Sequence, residues 1–405
     1  MTLRKCLFWC HLATGVLAGV VILIMSVTGA LLTYERQIVA WADRRASVAA
    51  PPPAGAPRLS IEAIIAKVEG TEPGTAFTTV TTRADSSRPV ALAAGQRTLD
   101  VDPYTGRVVG EGSPCVRRFF RIVTDWHRTL AFSGERRAIG RAITGACNLM
   151  FLFIVSSGIY LWWPRTWTRR QLRTVTMFNG DLRGKARDFN WHNVIGFWSA
   201  IPLFVVVLGS VVISYPWASD IVYRLVGEVP PGAVRAAAAQ GTPPGRQRDE
   251  GMSGRESTPA AGIDALLARA EQQVSGWRSI SFRLPTGAES PVVFTIDQGT
   301  GGQPQKRGTL TLGRPDGEIV KWEPFASLSE GRRLRSWLRF AHTGEVYGLV
   351  GQTVAGLVSL GGAFLMYTGL ALAFRRFLAW RLRVRNARRA AVAAGLMTPS
   401  IGDGA

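Results

Sequence analysis

Four long stretches of this 405-residue chain contain no charged side chain, and they limit what the chain can fold into. They cover residues 6–34, 142–163, 189–219 and 346–374. A helix needs about 20 apolar residues to cross about 30 Å of hydrocarbon, and each stretch is long enough. We therefore expect a membrane protein, mainly α-helical, with four transmembrane helices. The first stretch is too long for the apolar part of a secretory signal, so we expect it to be retained.

The placement of the histidines is the second constraint. The chain has only four, His11, His127, His192 and His342, and each lies at or just outside one end of an uncharged stretch. Ionisable groups at membrane depth are functional by default, and imidazole is a common axial ligand of haem iron. Two histidine pairs therefore predict two b-type haems. The sequence has no CxxCH motif, which argues against c-type haem.

Basic residues predict the orientation of the spans. They are concentrated before the first span, at residues 165–187 and at residues 375–389, and the positive-inside rule assigns these segments to the cytoplasm. His11 and His192 then begin outward spans, whereas His127 and His342 precede inward spans. We expect His11 to share one haem with His192 near the cytoplasm, and His127 to share the other with His342 near the periplasm. The alternative for each is a hydrogen-bonded imidazole at the interface.

The surroundings of His127 predict an interrupted helix. A continuous helix from His127 to residue 163 would be about 54 Å long, so we expect it to project above the membrane or to break near Ser133 and Gly134. Arg128 and Arg339 are expected at the edge of the periplasmic haem, where they bind propionates. An ordinary interfacial belt of Arg and Trp is the alternative role for them. Glycines in the spans leave room for a flat macrocycle or simply allow close helix packing.

Repeated motifs predict an internal duplication. The pattern F-x-x-H-x-x-x-G recurs after 181 residues, at His11 and His192, and GRAITG at 140–145 recurs as GQTVAG at 351–356, after 211 residues. This second offset places His342 opposite Ala131, one helical turn from His127. A helical pattern from Ile61 also resembles one from Ile263. Each loop is predicted to hold one helix followed by alternating strands, with turns at 103–106 and at Pro315 to Gly317.

Several motifs together resemble the PepSY-associated transmembrane family, the iron-regulated membrane proteins that include bacterial ferric-siderophore reductases. They are FWCHLATGVLAG, VTGALLTYE, LDVDPYTGRVVG, DWHRTL, SSGIYLWWPR, FNWHNVIGFW and FAHTGEVYG. The resemblance covers nearly the whole chain. It implies four spans, two small α+β PepSY-like periplasmic domains and, as in the reductase members, haem.

The expected organisation has nine segments. They are a cytoplasmic N-terminus (1–5), span 1 (6–34), PepSY-like domain 1 (35–120), a periplasmic helix with span 2 (121–163), a cytoplasmic loop (164–188), span 3 (189–217), PepSY-like domain 2 (218–331) with a flexible linker (230–257), a periplasmic helix with span 4 (332–374), and a cytoplasmic tail (375–405).

The expected function is a membrane oxidoreductase of the bacterial inner membrane that reduces a ferric siderophore or another ferric chelate. The sequence has no GxGxxG after a strand, no P-loop and no HExxH, so the electron donor is expected to be external, either a quinol or a cytoplasmic reductase. The net charge of +20 is assigned to anionic lipid and haem propionates rather than to nucleic acid. Only one of the four cysteines falls in a predicted periplasmic loop, so no disulfide framework is expected.

Other functions remain open at this point. A PepSY membrane protein without redox activity would regulate a peptidase or an assembly process, and replacing its histidines would leave its function intact. A haem subunit that serves another periplasmic acceptor would keep the haem spectrum but would not respond to ferric chelates. A metal permease is disfavoured because the spans hold no Asp, Glu, Lys or Arg to line an ion path.

Overall fold

The computed structural model divides into two compact units. It describes residues 2–46, 56–95, 97–163, 168–233, 262–287, 289–314 and 316–394. The unit that we call the helical unit comprises Met1–Ala30, Asp125–Leu208 and Ala355–Ala405. The other, which we call the sheet unit, comprises Leu31–Thr124 and Gly209–Val354. Most of the predicted linker at 230–257 lies outside the described residues.

Among the described residues, four helices are long and apolar enough to cross a membrane, which confirms the predicted number of spans. They are α1 (Leu3–Leu32), α5 (Arg137–Trp162), α7 (Gly184–Ser214) and α11 (Gly348–Ala393). The shorter helices in the described ranges are α2 (Glu35–Ala46), α3 (Ile61–Thr71), α4 (Pro114–Thr129), α6 (Arg169–Thr176), α8 (Pro216–Leu225), α9 (Ile263–Gln273) and α10 (Glu330–His342).

The predicted break after His127 is confirmed. Helix α4 ends at Thr129, and the next two residues adopt left-handed backbone conformations with φ of 52° and 60°. A short 3₁₀ turn, Gly134–Arg136, then leads into α5. Helix α10 ends in the same way, since the 3₁₀ turn Glu345–Tyr347 precedes α11.

The helical unit has a core of modest-sized side chains from all four long helices. It includes Ala18 and Ile22 of α1, Phe151 of α5, Leu203 of α7 and Met366 of α11. Polar side chains are buried in the same helices, among them Ser157, Asn148 and Thr368. Because lipid is itself apolar, helices in a membrane associate through close packing and hydrogen bonds, and this interior has that composition.

The sheet unit is built on one antiparallel sheet of eight strands in the order β4-β3-β2-β1-β5-β6-β7-β8. Its strands are β1 (Thr79–Arg83), β2 (Val90–Ala94), β3 (Arg97–Val101), β4 (Val108–Gly110), β5 (Ser279–Arg283), β6 (Val292–Asp297), β7 (Arg307–Leu312) and β8 (Ile319–Pro324). The two predicted PepSY-like regions therefore share a single sheet, joined where β1 pairs with β5.

One hydrophobic core covers both halves of this sheet. Alternate strand residues point to it, because side chains alternate between the faces of a strand. Helices α3 and α9 supply the facing layer, which confirms the two helices predicted from Ile61 and Ile263. The predicted turns follow β3 and β7, where Gly106 and Gly317 have φ of 71° and 68°. Pro315, assigned to the second turn, lies outside the described residues.

The two halves of the sheet unit resemble each other about the β1–β5 pair. Val80 lies opposite Phe282 there, and Thr81 hydrogen-bonds Ser281 with 2.9 Å between the hydroxyl oxygens. Helices α3 and α9 also cap one another. The Asp264 carboxylate accepts a hydrogen bond from the backbone N–H of Ile61 at 2.6 Å, while the Glu62 carboxylate accepts one from the N–H of Asp264 at 3.3 Å. Carboxylates at helix N-termini are stabilising, so each helix completes the other.

Candidate functional site

Three of the four histidines lie in the helical unit. His11 is in the first third of α1, His192 is in the first third of α7, and His127 is near the end of α4. His342 is the last residue of α10 and belongs to the sheet unit. The structure thus brings His11, His127 and His192 into one unit, and the pairing of His127 with His342 stays a prediction.

His11 and His192 have matching surroundings. Nδ1 of His11 lies 2.9 Å from the Ser157 hydroxyl, and Nδ1 of His192 lies 2.9 Å from the Thr368 hydroxyl. A backbone carbonyl three residues earlier in the partner helix is also within reach, at Ile154 for His11 and at Leu365 for His192.

His127 repeats this arrangement with a third helix. Its Nδ1 lies 3.0 Å from the Thr28 hydroxyl and 3.0 Å from the carbonyl of Met25, again three residues earlier. One hydroxyl and one carbonyl from a single helical turn therefore hold the same ring nitrogen in all three cases.

These contacts identify the proton on each ring. The three hydroxyls donate to carbonyls of their own helices, as in the bonds from Ser157 to Ile154 at 3.1 Å, from Thr368 to Phe364 at 2.8 Å and from Thr28 to Ile24 at 2.7 Å. Each hydroxyl oxygen is then an acceptor, and Nδ1–H of the imidazole is the donor. The hydrogen bond at one ring nitrogen sets the state of the other, so Nε2 carries the lone pair that binds a metal.

Nε2 of His11 and Nε2 of His192 are available for coordination. Among the residues that the structure describes, none forms a hydrogen bond to Nε2 of His11 or His192. The two rings are also close enough to interact electrostatically. The helical unit therefore brings the His11 and His192 imidazoles near each other, and their sharing of one haem stays a prediction.

A glycine follows the hydroxyl residue at each of the three sites and lies against the imidazole. A Cβ placed on Gly158 or Gly369 would lie 3.5 Å from Cε1 of His11 or His192, and one on Gly29 would lie 3.3 Å from Cε1 of His127. A larger residue would push on the ring. The dipeptides Ser157-Gly158, Thr368-Gly369 and Thr28-Gly29 thus combine a hydrogen-bond acceptor with space for the ring.

His342 has a different neighbour within the sheet unit. A Cβ on Gly209 would come within 2.6 Å of the Leu338 carbonyl oxygen and 3.1 Å of Cβ of His342, so α7 and α10 approach closely there. Here the glycine precedes the hydroxyl residue, as Gly209-Ser210, whereas at the other three sites it follows the hydroxyl residue. The backbone of α10, rather than the tip of the imidazole, occupies the space that glycine provides.

His127 and His342 hold equivalent positions relative to α5 and α11, the long helices that follow them. A Cβ on Gly140 would meet the Thr129 carbonyl oxygen at 2.1 Å, and one on Gly351 would meet the Gly344 carbonyl oxygen at 2.2 Å. His127 and His342 each precede that carbonyl residue by two positions. The segment between the carbonyl residue and the glycine is four residues longer before α5 than before α11. The four-residue displacement of His127 relative to His342 in the repeat alignment therefore arises in the loop before α5.

Arg128 and Arg339 do not occupy equivalent positions. Both side chains are exposed, but Arg128 follows His127 by one residue and Arg339 precedes His342 by three. The guanidinium of Arg339 lies 5.5 Å from the centre of the Phe340 ring. The binding of haem propionates by these two arginines stays a prediction.

A buried polar network positions the helix that carries His192. The Asn190 side chain accepts from the backbone N–H of Asn179 at 3.0 Å and donates to the Thr174 carbonyl oxygen at 3.1 Å. The buried Asp188 carboxylate pairs with Arg375 at 3.0 Å. The start of α7 is thereby tied to α6 and to the end of the apolar part of α11.

The surroundings of His11 and His192 offer space and a polar group that suit a haem. A Cβ on Gly15, one turn after His11, would meet no atom within 4 Å, so space lies open on that face of α1. Nε1 of Trp162 is buried without a hydrogen-bond partner and is available to a polar substituent such as a propionate. In the described parts of the chain no group of three or more His, Cys, Asp or Glu side chains is placed to hold a metal ion.

The sequence interpretation missed Ser157, Thr368 and Thr28 as partners of the histidines. A signal was present, because a Ser-Gly or Thr-Gly dipeptide occurs in three of the four spans. Ser157-Gly158 and Thr368-Gly369 are also separated by the repeat offset of 211 residues.

The family comparison agrees with the resemblance noted from the motifs. The model for the PepSY-associated TM region matches residues 8–376, so the chain belongs to this family of membrane proteins. A comparison with curated proteins gave no match.

Proposed function

We propose that this protein transfers electrons across the bacterial inner membrane, using two b-type haems, to reduce a periplasmic ferric chelate, with a ferric siderophore as the expected substrate. It would be a membrane oxidoreductase whose donor is a quinol or a cytoplasmic reductase. Both termini would lie in the cytoplasm, and the sheet unit would lie in the periplasm. The repeated motifs and the symmetric β1–β5 pair support an origin by internal duplication.

The observation that carries this proposal is the common state of three histidines. In each case a Ser or Thr hydroxyl and a backbone carbonyl lie at Nδ1, and in the His11 and His192 pair Nε2 is left as the coordinating atom. The same pairing of a hydroxyl and a carbonyl with an imidazole occurs three times in the helical unit. Metal ligation accounts for this pairing, because the partner of a ligating imidazole fixes its tautomer and orientation.

The residues have distinct roles in this proposal. His11 and His192 would bind one haem iron, and His127 and His342 the other. Arg128, Arg339 and the unpartnered Nε1 of Trp162 would bind propionates. When bound, haem supplies a one-electron carrier between Fe(III) and Fe(II). The apolar helices exclude water around the ligands, and the hydrogen bonds to Nδ1 raise the basicity of the imidazoles.

The decisive experiment is the reduced-minus-oxidised visible spectrum of the purified full-length protein, together with its haem-to-protein ratio. It compares the wild type with His11→Ala and His342→Ala. Cys10→Ala is the matched control, because Cys10 is an exposed neighbour of His11 in the same helix. We expect two b-type haems in the wild type and the control, and the loss or alteration of one haem in each histidine variant.

The absence of haem from protein expressed with ample haem would refute the redox proposal and favour the regulatory alternative. If the haems are present, reduced protein in liposomes is mixed with a ferric chelate, and its reoxidation is followed. Reoxidation of the wild type but not of His11→Ala supports chelate reduction. A spectrum that is unaffected by ferric chelates would instead favour a haem subunit that serves another acceptor.

A further inference from the structure

The sheet unit contains a cleft between α2 and the loop from β1 to β2. Two adjoining cavities of about 590 and 520 Å³ share Arg44, Arg83, Ser87 and Arg88 in their walls. Arg278 extends the second cavity. We call this the arginine cleft, defined by Arg44, Arg83, Arg88 and Arg278. Each cavity falls within the range of about 300–1,000 Å³ that is usual for small-molecule sites.

Arg83 is the most enclosed of these arginines. It ends β1, is half-buried, and donates one hydrogen bond to the Pro89 carbonyl oxygen at 3.2 Å. Burial and the neighbouring Arg88 lower its pKa by more than Asp100 and Asp43 raise it. Arg83 is therefore a partly desolvated cation that lies near a second cation as well as near two carboxylates.

The other arginines of the cleft also retain unused hydrogen-bonding capacity. In the described ranges, no hydrogen bond or ion pair reaches the guanidinium of Arg44, Arg88 or Arg278. Cations of the same sign gathered in one cavity repel each other unless an anion joins them. A guanidinium presents a planar fork of N–H donors that matches a carboxylate, so the cleft is suited to several carboxylates at once.

Two acidic side chains of the walls already accept hydrogen bonds, and Asp100, which lines the first cavity, raises the pKa of Arg83. The Asp43 carboxylate accepts from Arg117 at 2.6 Å, and the Asp85 carboxylate accepts from the Ser87 hydroxyl at 2.6 Å. Burial raises the pKa of Glu35. Arg36, the remaining arginine of the first cavity, is paired with Glu345 at 2.7 Å. The four arginines of the cleft are thus the cations left to meet a ligand.

We propose that the arginine cleft binds a small organic anion with at least two carboxylate groups, and that the ferric complex of such an anion is the substrate of the electron transfer proposed above. Its identification as substrate rests on the proposed function, whereas binding to the cleft does not require haem. Arg83 and Arg88 would hold carboxylates at the centre of the cleft, and Arg44 and Arg278 would close its two sides.

The test is calorimetric titration of the full-length protein in lipid nanodiscs with citrate, gallium(III) citrate and inorganic phosphate. Gallium(III) replaces iron so that reduction does not complicate binding. The variants are Arg83→Gln and Arg88→Gln, with Arg107→Gln as the matched control, since Arg107 is an exposed arginine in the same unit outside the cleft. Arg88→Gln preserves the test if Arg83→Gln impairs folding, because no hydrogen bond of the Arg88 side chain is lost.

We expect saturable binding of gallium citrate to the wild type and to Arg107→Gln, and a Kd raised at least about tenfold in Arg88→Gln. Absence of binding to the wild type, or an equal Kd in Arg88→Gln, would overturn the proposal. Phosphate binding as tight as that of citrate would overturn the assignment to carboxylates. His11→Ala should bind gallium citrate as the wild type does, which separates a failure of this site from a failure of the haem proposal.

Discussion

The interiors of the helical unit and the sheet unit differ in the side chains that they bury. The sheet unit buries large apolar side chains completely, such as Phe282, Phe294 and Leu310. The helical unit buries hydroxyl and amide groups, including Ser157 and Thr368, and exposes apolar side chains on its outer surface. Water drives the first kind of burial, whereas lipid offers helices no comparable driving force. Polar groups inside the helical unit are therefore the better indicators of function.

The largest expected effect comes from filling the space beside His11 or His192. Gly158→Leu and Gly369→Leu place a branched side chain against Cε1 of His11 or His192, since even a Cβ would lie 3.5 Å away. We expect loss of the haem bound by that pair, measured as the haem-to-protein ratio. Gly180→Leu is the control, because a Cβ there meets no atom within 4 Å. Full haem content in both Gly158→Leu and Gly369→Leu would contradict the assigned haem site.

The corresponding change in the sheet unit should affect stability alone. Phe282→Ala removes a fully buried ring that lies 5.0 Å from the Phe294 ring, and such truncations cost about 3–5 kcal/mol. We expect a lower thermal unfolding midpoint for the sheet unit, followed by circular dichroism, with the haem-to-protein ratio of folded protein unchanged. If this variant lost haem while it remained folded, the contrast between the two interiors would fail.

A smaller effect is expected when only a hydroxyl is removed. Ser157→Ala and Thr368→Val delete the acceptor 2.9 Å from Nδ1 and leave the packing nearly intact. Loss of such a partner weakens metal binding by about 10–100-fold, and we expect a haem that dissociates more readily together with a shifted reduction potential. Ser156→Ala provides a matched control, because the exposed Ser156 hydroxyl donates to the Leu152 carbonyl oxygen. A potential equal to the wild-type value would show that these hydroxyls do not orient the ligands.

The smallest effect concerns an ion pair of the sheet unit. Burial alone raises the pKa of Asp43, but hydrogen bonds from Arg117 and Ser113 outweigh it and lower the pKa below its ordinary value. This contribution to stability is present above the unfolded pKa of about 3.9 and disappears as the pH falls through the lower folded value.

Asp43→Asn should therefore destabilise the sheet unit at pH 7 by about 1–3 kcal/mol, and the difference from the wild type should vanish in acid. The measurement is the thermal unfolding midpoint as a function of pH. Glu69→Gln, an exposed change in the same unit, should leave the curve unaltered. A difference that persists unchanged in acid would rule out the carboxylate as its cause.

The sequence predicted much of the fold because hydrophobic patterns are local. The lengths of the uncharged stretches predicted four spans, and the length from His127 to residue 163 predicted the break before α5. The β1–β5 pair was not predicted, because nothing local in Thr79–Arg83 indicates a partner 200 residues away. Helices α2 and α8 were missed since they follow a span directly and are short.

The histidines of the candidate site were recognisable from their rarity and placement, but their partners were not. Ser157, Thr368 and Thr28 bond back to their own helices, as Ser and Thr do in many membrane helices, so their residue type alone does not reveal a second role. Only the packing of α1 against α5, of α7 against α11 and of α1 against α4 brings each hydroxyl to an imidazole.

The pairing of β1 with β5 has a consequence for any attempt to divide the protein. A chain cut between residues 234 and 261 would yield two pieces, each with four of the eight strands and one of the two helices that face the sheet, and each would expose the backbone of its innermost strand. Exposed strand edges recruit further strands. Separately produced halves should therefore aggregate or self-associate, whereas halves produced in the same cell should find each other and rebuild the eight-stranded sheet.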